Sequence, residues 1–129
     1  MSYKKKVIIT GGSRGIGAAI CARLIKQNYC VLAVCRTSPN MAGVDHIACD
    51  FSDKYQRINV FKSLRDYGPI YGLINNAGIA TPNLLEDFDL DIYESVMTIN
   101  ATAVAELTAA VVPSMIQNKS GRVVNISSE

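Results

Sequence analysis

The sequence predicts an α/β fold, a doubly wound parallel sheet with helices on both faces. Three observations carry the prediction. Strand-length apolar runs alternate with helix-length amphipathic segments along the chain. One run, Tyr29 to Cys35 (YCVLAVC), is apolar throughout, as a strand covered on both faces is. A glycine-rich turn, Gly11 to Gly17, stands between the first strand and the first helix. With 129 residues, and about 100–200 residues per domain, the chain is one domain or part of one. Apolar residues make up 49% and the net charge is only +2, which excludes a disordered chain.

The elements follow in order. Lys6-Val7-Ile8-Ile9-Thr10 is the first strand. Gly15 to Gln27 places Ile16, Ile20 and Leu24 at a spacing of four, one face of a helix. Tyr29 to Cys35 is the second strand, and Val44 to Cys49 is a third, weakened by Asp45 and His46. Only TSPNMAG lies between Arg36 and Val44. A parallel crossover normally takes a dozen or more residues and a helix. A bare loop is expected here, with either a poorly formed third strand or a thin sheet edge. Ser52 to Tyr67 reads as an amphipathic helix with Ile58, Phe61 and Leu64 facing in, ended by Gly68-Pro69. Ile70 to Ile74 is a fourth strand. Asp91 as cap and Glu94 three residues on start a helix that runs to about Asn118. Pro113 is expected to kink or loosen its last part. Arg122 to Ser127 is a fifth strand, and right-handed crossovers give a doubly wound order with that strand beyond the fourth.

Composition excludes several function classes. The surplus of basic residues is smaller than Lys4-Lys5-Lys6 alone, which argues against a nucleic-acid binder. The longest weakly polar stretch, Ala101 to Val112, is interrupted by Glu106. It falls short of the about 18 apolar residues of a membrane span. The N-terminus has only a four-residue apolar run before two glycines, too short for a signal peptide, so a cytoplasmic protein is expected. Cys21, Cys30, Cys35 and Cys49 contain no CxxC pair and His46 is the single histidine. No metal site is expected, and the thiols read as free and mostly buried.

The glycine turn has the chemistry of a dinucleotide loop. In Thr10-Gly11-Gly12-Ser13-Arg14-Gly15-Ile16-Gly17, Gly11 allows the tight turn off the strand. Gly15 leaves room for a pyrophosphate, and Gly17 lets the helix pack closely on the sheet. The helix N-terminus then offers free N–H groups to the phosphates. Gly15 is followed by Ile16 where a P-loop would have Lys, which excludes that NTPase motif. About 20 residues on, an acidic side chain would hold the 2′-hydroxyl of NAD. Cys35 stands there instead, followed by Arg36, with Arg14 projecting from the loop. Two guanidinium groups suit a 2′-phosphate, so NADP is favoured over NAD. The plain alternative is that both arginines are solvated surface residues.

Four segments together resemble the short-chain dehydrogenase/reductase family. They are TGGSRGIG at Thr10–Gly17, CD at Cys49-Asp50, NNAG at Asn75–Gly78 and GRVVNISS at Gly121–Ser128, with Asn100 inside TINATAVAELT. The resemblance covers nearly the whole chain and implies a Rossmann-type fold. It also implies roles. Gly11, Ser13, Arg14, Gly15, Ile16, Gly17 and Arg36 would hold NADP. Asp50 would meet the adenine edge, with Phe51 behind it. Asn75, Ala77 and Gly78 would line the ribose side and steady the sheet. Asn100 would be the catalytic asparagine, holding a water in a proton relay, and Ser128 would bind the substrate carbonyl. Without the resemblance, Asn100 reads as an amide satisfied by backbone and Ser128 as a strand-end turn residue.

The family's chemistry also needs a Tyr and a Lys spaced YxxxK. None of the six tyrosines has Lys four residues on. The chain therefore reads as the N-terminal part of a reductase similar to 3-oxoacyl thioester reductases, truncated after the fifth strand and inactive alone. The whole enzyme would interconvert a small-molecule ketone and a secondary alcohol, with NADPH, as a cytoplasmic homo-oligomer without membrane or nucleic-acid partners. The alternative is a non-catalytic nucleotide-binding remnant. The apolar fifth strand, with no later strand to pair it, is expected to promote association.

Overall fold

The structure is a computed structural model that describes residues 4–127. The serine expected at the substrate, Ser128, lies outside the described residues. Strands β1 (Lys6–Thr10), β2 (Cys30–Cys35), β3 (Val44–Ala48), β4 (Gly72–Asn75) and β5 (Arg122–Asn125) form one sheet in the order β3-β2-β1-β4-β5. Every neighbouring pair is parallel. The chain first winds outward through β2 and β3, then crosses back to β4 and β5. The order therefore reverses beside β1, and the carboxyl ends of β1 and β4 flank the crevice where such sheets bind ligands.

Successive residues of the strands feed two cores. Ile9, Val31, Ala33 and Cys35 face helix α1 (Gly15–Lys26), where Cys21, Leu24 and Ile25 cover them. Ile8, Leu32, Val34 and Leu73 face α2 (Lys54–Asp66) and α4 (Ala103–Gln117), where Val60, Leu64, Leu107 and Val111 meet them. Of the expected inner face of α1, Ile20 and Leu24 pack against the core and Ile16 does not. Ile16 is 64% exposed at the mouth of the crevice. Gly17 and Cys21 are the fully buried positions. On α2 the fully buried positions are Val60 and Leu64, and Ile58 is only half-buried.

The short link between β2 and β3 carries no helix, as expected, yet β3 is well formed. It pairs with β2 over five positions, from Val31 opposite Val44 to Cys35 opposite Ala48. Met41 packs into the α1-side core, and Gly43, at φ +84°, turns the chain close over Ile25. Because α1 already covers that face, no second helix is needed, and β3 is the sheet edge.

Two helices begin at aspartates. α2 begins at Lys54 rather than Ser52, and Asp53 caps it, accepting from Tyr55 N and Gln56 N. Asp89, not Asp91, caps α3 (Leu90–Met97), accepting from Asp91 N and Ile92 N. β4 begins at Gly72 rather than Ile70, whose N–H donates to Ser114 Oγ. The helical run ends at Gln117, with Asn118 as its C-cap, as expected, and Pro113 lies inside α4. Its irregular step is a π turn at Thr98–Thr102, between α3 and α4. Together Leu90–Gln117 is long and apolar enough to cross a membrane by length and composition, which the interruption at Glu106 had argued against. In this fold its buried side, Ala103, Leu107, Ala110, Val111 and Met115, packs on the sheet and α2.

Candidate cofactor site

The glycine loop leaves β1 at Gly11, in a left-handed conformation (φ +66°). Two side chains outside the loop fix its shape. Thr10 Oγ1 accepts from Asn76 N (3.0 Å) and Ala77 N (2.8 Å), and Asn76 Nδ2 donates to Gly11 O (3.0 Å). The loop after β1 is thus tied to the loop after β4. Gly17 makes that possible, because a Cβ there would overlap the Gly11 carbonyl and stand 2.6 Å from Asn76 Nδ2. Sequence reasoning gave no role to Thr10 or Asn76, although both stand inside the motifs it singled out.

Gly15 is different. It has φ +55°, and a Cβ built there would meet nothing within 4 Å. The space beside it is open, as a passing pyrophosphate requires. The N-terminus of α1 is also free. Arg14 occupies the cap position without a side-chain cap, and no acidic residue stands in the first turn. The ends of α2 and α3, by contrast, are capped by Asp53 and Asp89. An uncapped helix end with its positive dipole pole open fits a phosphate. Ser13 is half-buried in the loop, while Arg14 and Arg36 are exposed.

Cys35 is buried beneath the loop and donates its thiol to Thr37 O at 3.1 Å. Burial pushes its pKa up, opposed by the N–H groups of Gly12 and Ser13. No carboxylate occupies this position. The nearby carboxylate is Asp50, half-buried, whose Oδ1 accepts from Ser52 Oγ (2.7 Å) and Ser52 N (2.9 Å). Those bonds, and secondarily the charge of Arg36, hold its pKa below the ordinary value. Asp50 is therefore ionised at neutral pH. Phe51 turns away into the core, 8% exposed, against the α2–α4 face.

At the other end, Asn75 is buried. Its Nδ2 donates to Asn125 Oδ1 at 2.9 Å, joining β4 to β5, and its Oδ1 has no partner among the described residues. Asn100 stands in the π turn and grips one residue. Its Oδ1 accepts from Ile79 N (2.9 Å) and its Nδ2 donates to Ile79 O (2.7 Å). Gly78 leaves room for this, since a Cβ there would be 3.2 Å from Asn100 Oδ1. The structure thus brings Asn100 to the Asn75–Gly78 segment, with both polar atoms of its side chain engaged by backbone. π turns often mark functional positions. The four cysteines are free thiols, and among the described residues no three His, Cys, Asp or Glu side chains cluster as a metal site.

The comparisons with known proteins agree with this architecture. The profile of the short chain dehydrogenase family matches residues 5–129. A short chain dehydrogenase of Pseudocercospora fijiensis is 38% identical, over 96% of this chain and 45% of its own length. The 3-oxoacyl-[acyl-carrier-protein] reductase MabA of Mycobacterium tuberculosis is 31% identical, over 96% of this chain and 51% of its own. Among solved structures, a short-chain dehydrogenase from Sphingobium yanoikuyae in complex with NADPH superposes with a TM-score of 0.88. It is 30% identical and is matched over 96% of this chain and 54% of that one. The chain spans about half the length of the curated relatives it matches. With its matched profile, its parallel sheet and its glycine loop, the chain belongs to the short-chain dehydrogenase family.

Proposed function

We propose that this chain forms the NADP(H)-binding half of a cytoplasmic oxidoreductase that interconverts a ketone and a secondary alcohol. The observation that carries the reading is the contrast at the glycine loop. The α1 end is uncapped and open at Gly15, whereas every close contact around Gly11, Gly17 and Asn76 is filled. Arg14 and Arg36 supply the charges for a 2′-phosphate, and Cys35 leaves no carboxylate to repel it. The bound nicotinamide supplies or accepts the hydride. The protein's part is to seat the phosphates on α1 through Gly11, Ser13, Gly15, Ile16 and Gly17. Asp50 meets the adenine, while Asn75, Ala77, Gly78 and Asn100 shape the nicotinamide side. The Sphingobium NADPH complex and the reductase activity named for MabA support this class. A 3-oxoacyl thioester is the substrate type we favour, in a homo-oligomeric enzyme.

Two measurements test the reading. Titration should show NADPH bound more tightly than NADH, with Arg36→Asp reversing the order. Loss of a charge-assisted contact weakens NADPH roughly ten- to hundredfold. Equal affinity for the two nucleotides in the unmutated chain would overturn the NADP assignment. Catalysis is the second measurement, because a specific observation favours nucleotide binding without turnover. No YxxxK pair exists in these 129 residues. General acid catalysis alone is worth roughly 10²–10⁴-fold. The chain by itself should bind NADPH and leave a 3-oxoacyl thioester unreduced, and steady NADPH oxidation would overturn that expectation.

A further inference from the structure

One charged contact connects the two helices on the same face of the sheet. Arg57 on α2 places Nε 2.7 Å from Glu106 Oε1 on α4 and donates from Nη1 to the Phe51 carbonyl at 2.8 Å. It is the one ion pair among the described residues, and the Arg57 side chain is only 11% exposed. Holding α2 against α4 does not require it, because Val60, Phe61, Ala103 and Leu107 already pack there. Withdrawing a guanidinium from water is costly unless its donors are met. Here one donor is spent on a backbone carbonyl next to Asp50.

That carbonyl is one of two anchors on the same loop. On the other side of the aspartate, Asp50 N donates to Gln56 Oε1 at 2.7 Å. Ser52 then holds the Asp50 carboxylate from within the loop. α2 thus fixes the backbone before and after the carboxylate that the proposed function places at the adenine end. Glu106 adds a link to the other end. It lies on α4, whose helical run leads back through the π turn to Asn100.

We propose that Arg57 is a positioning residue for the adenine end of the cofactor crevice. Gripped by Glu106, it holds the Phe51 carbonyl so that the Cys49–Asp53 loop presents the Asp50 carboxylate in register with the helix that carries Asn100. The proposal rests on the nucleotide-binding reading above. A lysine at this position keeps a charge for Glu106 but lacks the planar fork that reaches Phe51 as well.

The test compares Arg57→Lys and Glu106→Gln with Leu64→Ala, a core change on the same helix away from the loop. Binding of 2′,5′-ADP, the adenosine half of NADP, is measured by calorimetry, and folding stability by thermal denaturation. Arg57→Lys should weaken 2′,5′-ADP about five- to tenfold, the size of one ordinary hydrogen bond, because the Asp50 contact is misplaced rather than removed, with little change in melting temperature. The amide NMR signals of Asp50, Phe51 and Ser52 should shift while those of Gly11 to Gly17 stay in place. Glu106→Gln should give a smaller effect of the same kind. Leu64→Ala should lower the melting temperature and leave the affinity unchanged. Unaltered 2′,5′-ADP affinity in Arg57→Lys would overturn the proposal, as would an equal loss in Leu64→Ala. Failure of the unmutated chain to bind 2′,5′-ADP would instead overturn the nucleotide-binding reading, and this proposal with it.

Discussion

Strands β2 and β5 are both rich in small apolar residues and lie in one sheet, yet β2 is buried from Val31 to Cys35 while every residue of β5 is exposed. The difference is in their neighbours. β2 has β1 and β3 on its two sides, α1 over one face and the Phe51–Val60 region over the other. β5 pairs only with β4, and Val123, Val124 and Ile126 remain about 40–45% exposed among the described residues. An apolar strand sequence therefore states that cover is required and does not state which part of the protein provides it. The half of the sheet around the glycine loop is closed by its own side chains. Substitutions there and at β5 should differ sharply.

The largest effect is expected where the closed half has no space left. Gly17→Val places a branched side chain against the Gly11 carbonyl and Asn76. Overpacking a core typically costs about 1–3 kcal/mol, and more where backbone is in the way. We expect loss of the cooperative unfolding transition in circular dichroism. Gly15→Ala meets no atom and bears only its positive φ. It should cost about 1–2 kcal/mol and act mainly on cofactor affinity.

Next comes a matched pair of truncations. Ile8→Ala, in the centre of the sheet, should destabilise by about 2–5 kcal/mol in urea denaturation. Val124→Ala, half exposed on β5, should cost less than about 1 kcal/mol. An unpaired apolar edge also favours association. Val124→Lys should lower the mass seen by light scattering over a concentration series while leaving the urea midpoint nearly unchanged. Equal costs for Ile8→Ala and Val124→Ala would break the comparison, since β5 would then be covered in solution.

The closed half also carries the alkaline sensitivity. Burial, with Asp50 adding its charge, pushes Cys49 up to about 11, and burial raises Cys21 and Cys35 as well. A folded pKa above the unfolded one gives stability that is fully present below the unfolded value and lost as pH rises through the folded one. For Cys49 that window is pH 9 to 11, and two pKa units correspond to about 2–3 kcal/mol. Denaturation midpoints of Cys49→Ala should be lower at pH 7 yet fall less steeply across this window. A thiol reagent should modify Cys30, the half-buried one, before the other three.

What was legible in the sequence divides along the same physical line. Each strand could be read from its own apolar run, and the loop from its own glycines, because those signals are local. The contact of Thr10 Oγ1 with Asn76 N joins residues 66 apart, and Arg57 meets Glu106 across 49. No local pattern announces such pairs. On α1, Ile20 and Leu24 pack as their spacing indicates, and Ile16 was misplaced because it keeps helical spacing with them. Close approach at Gly17 turns Cys21 inward instead and leaves Ile16 at the crevice. The cap of α3 was misplaced because Asp89 and Asp91 both suit the position, and only the backbone decides. Without the resemblance Asn100 reads as an amide satisfied by backbone, and its hold on Ile79 N and O is of that kind, although the π turn that places it is not disclosed by residue spacing.

The smallest effect belongs to Asp50, where the closed half meets solvent. Its pKa is lowered first by the Ser52 hydroxyl, then by the Ser52 N–H, with a lesser share from Arg36. A lowered folded value gives stability that is present above the unfolded pKa, near 3.9, and lost as pH falls through the folded one. The sensitive window is therefore below about pH 4, far from the thiol window. Ser52→Ala keeps the N–H donor and removes the hydroxyl, so the Asp50 carboxyl should titrate at higher pH by NMR. Arg36→Gln should move it in the same direction by less. At neutral pH neither change alters the charge of Asp50, so the melting temperature there should differ little from that of the unmutated chain. If Arg36→Gln moved the titration more than Ser52→Ala, the Arg36 guanidinium would be held against Asp50, with less of it free for a 2′-phosphate.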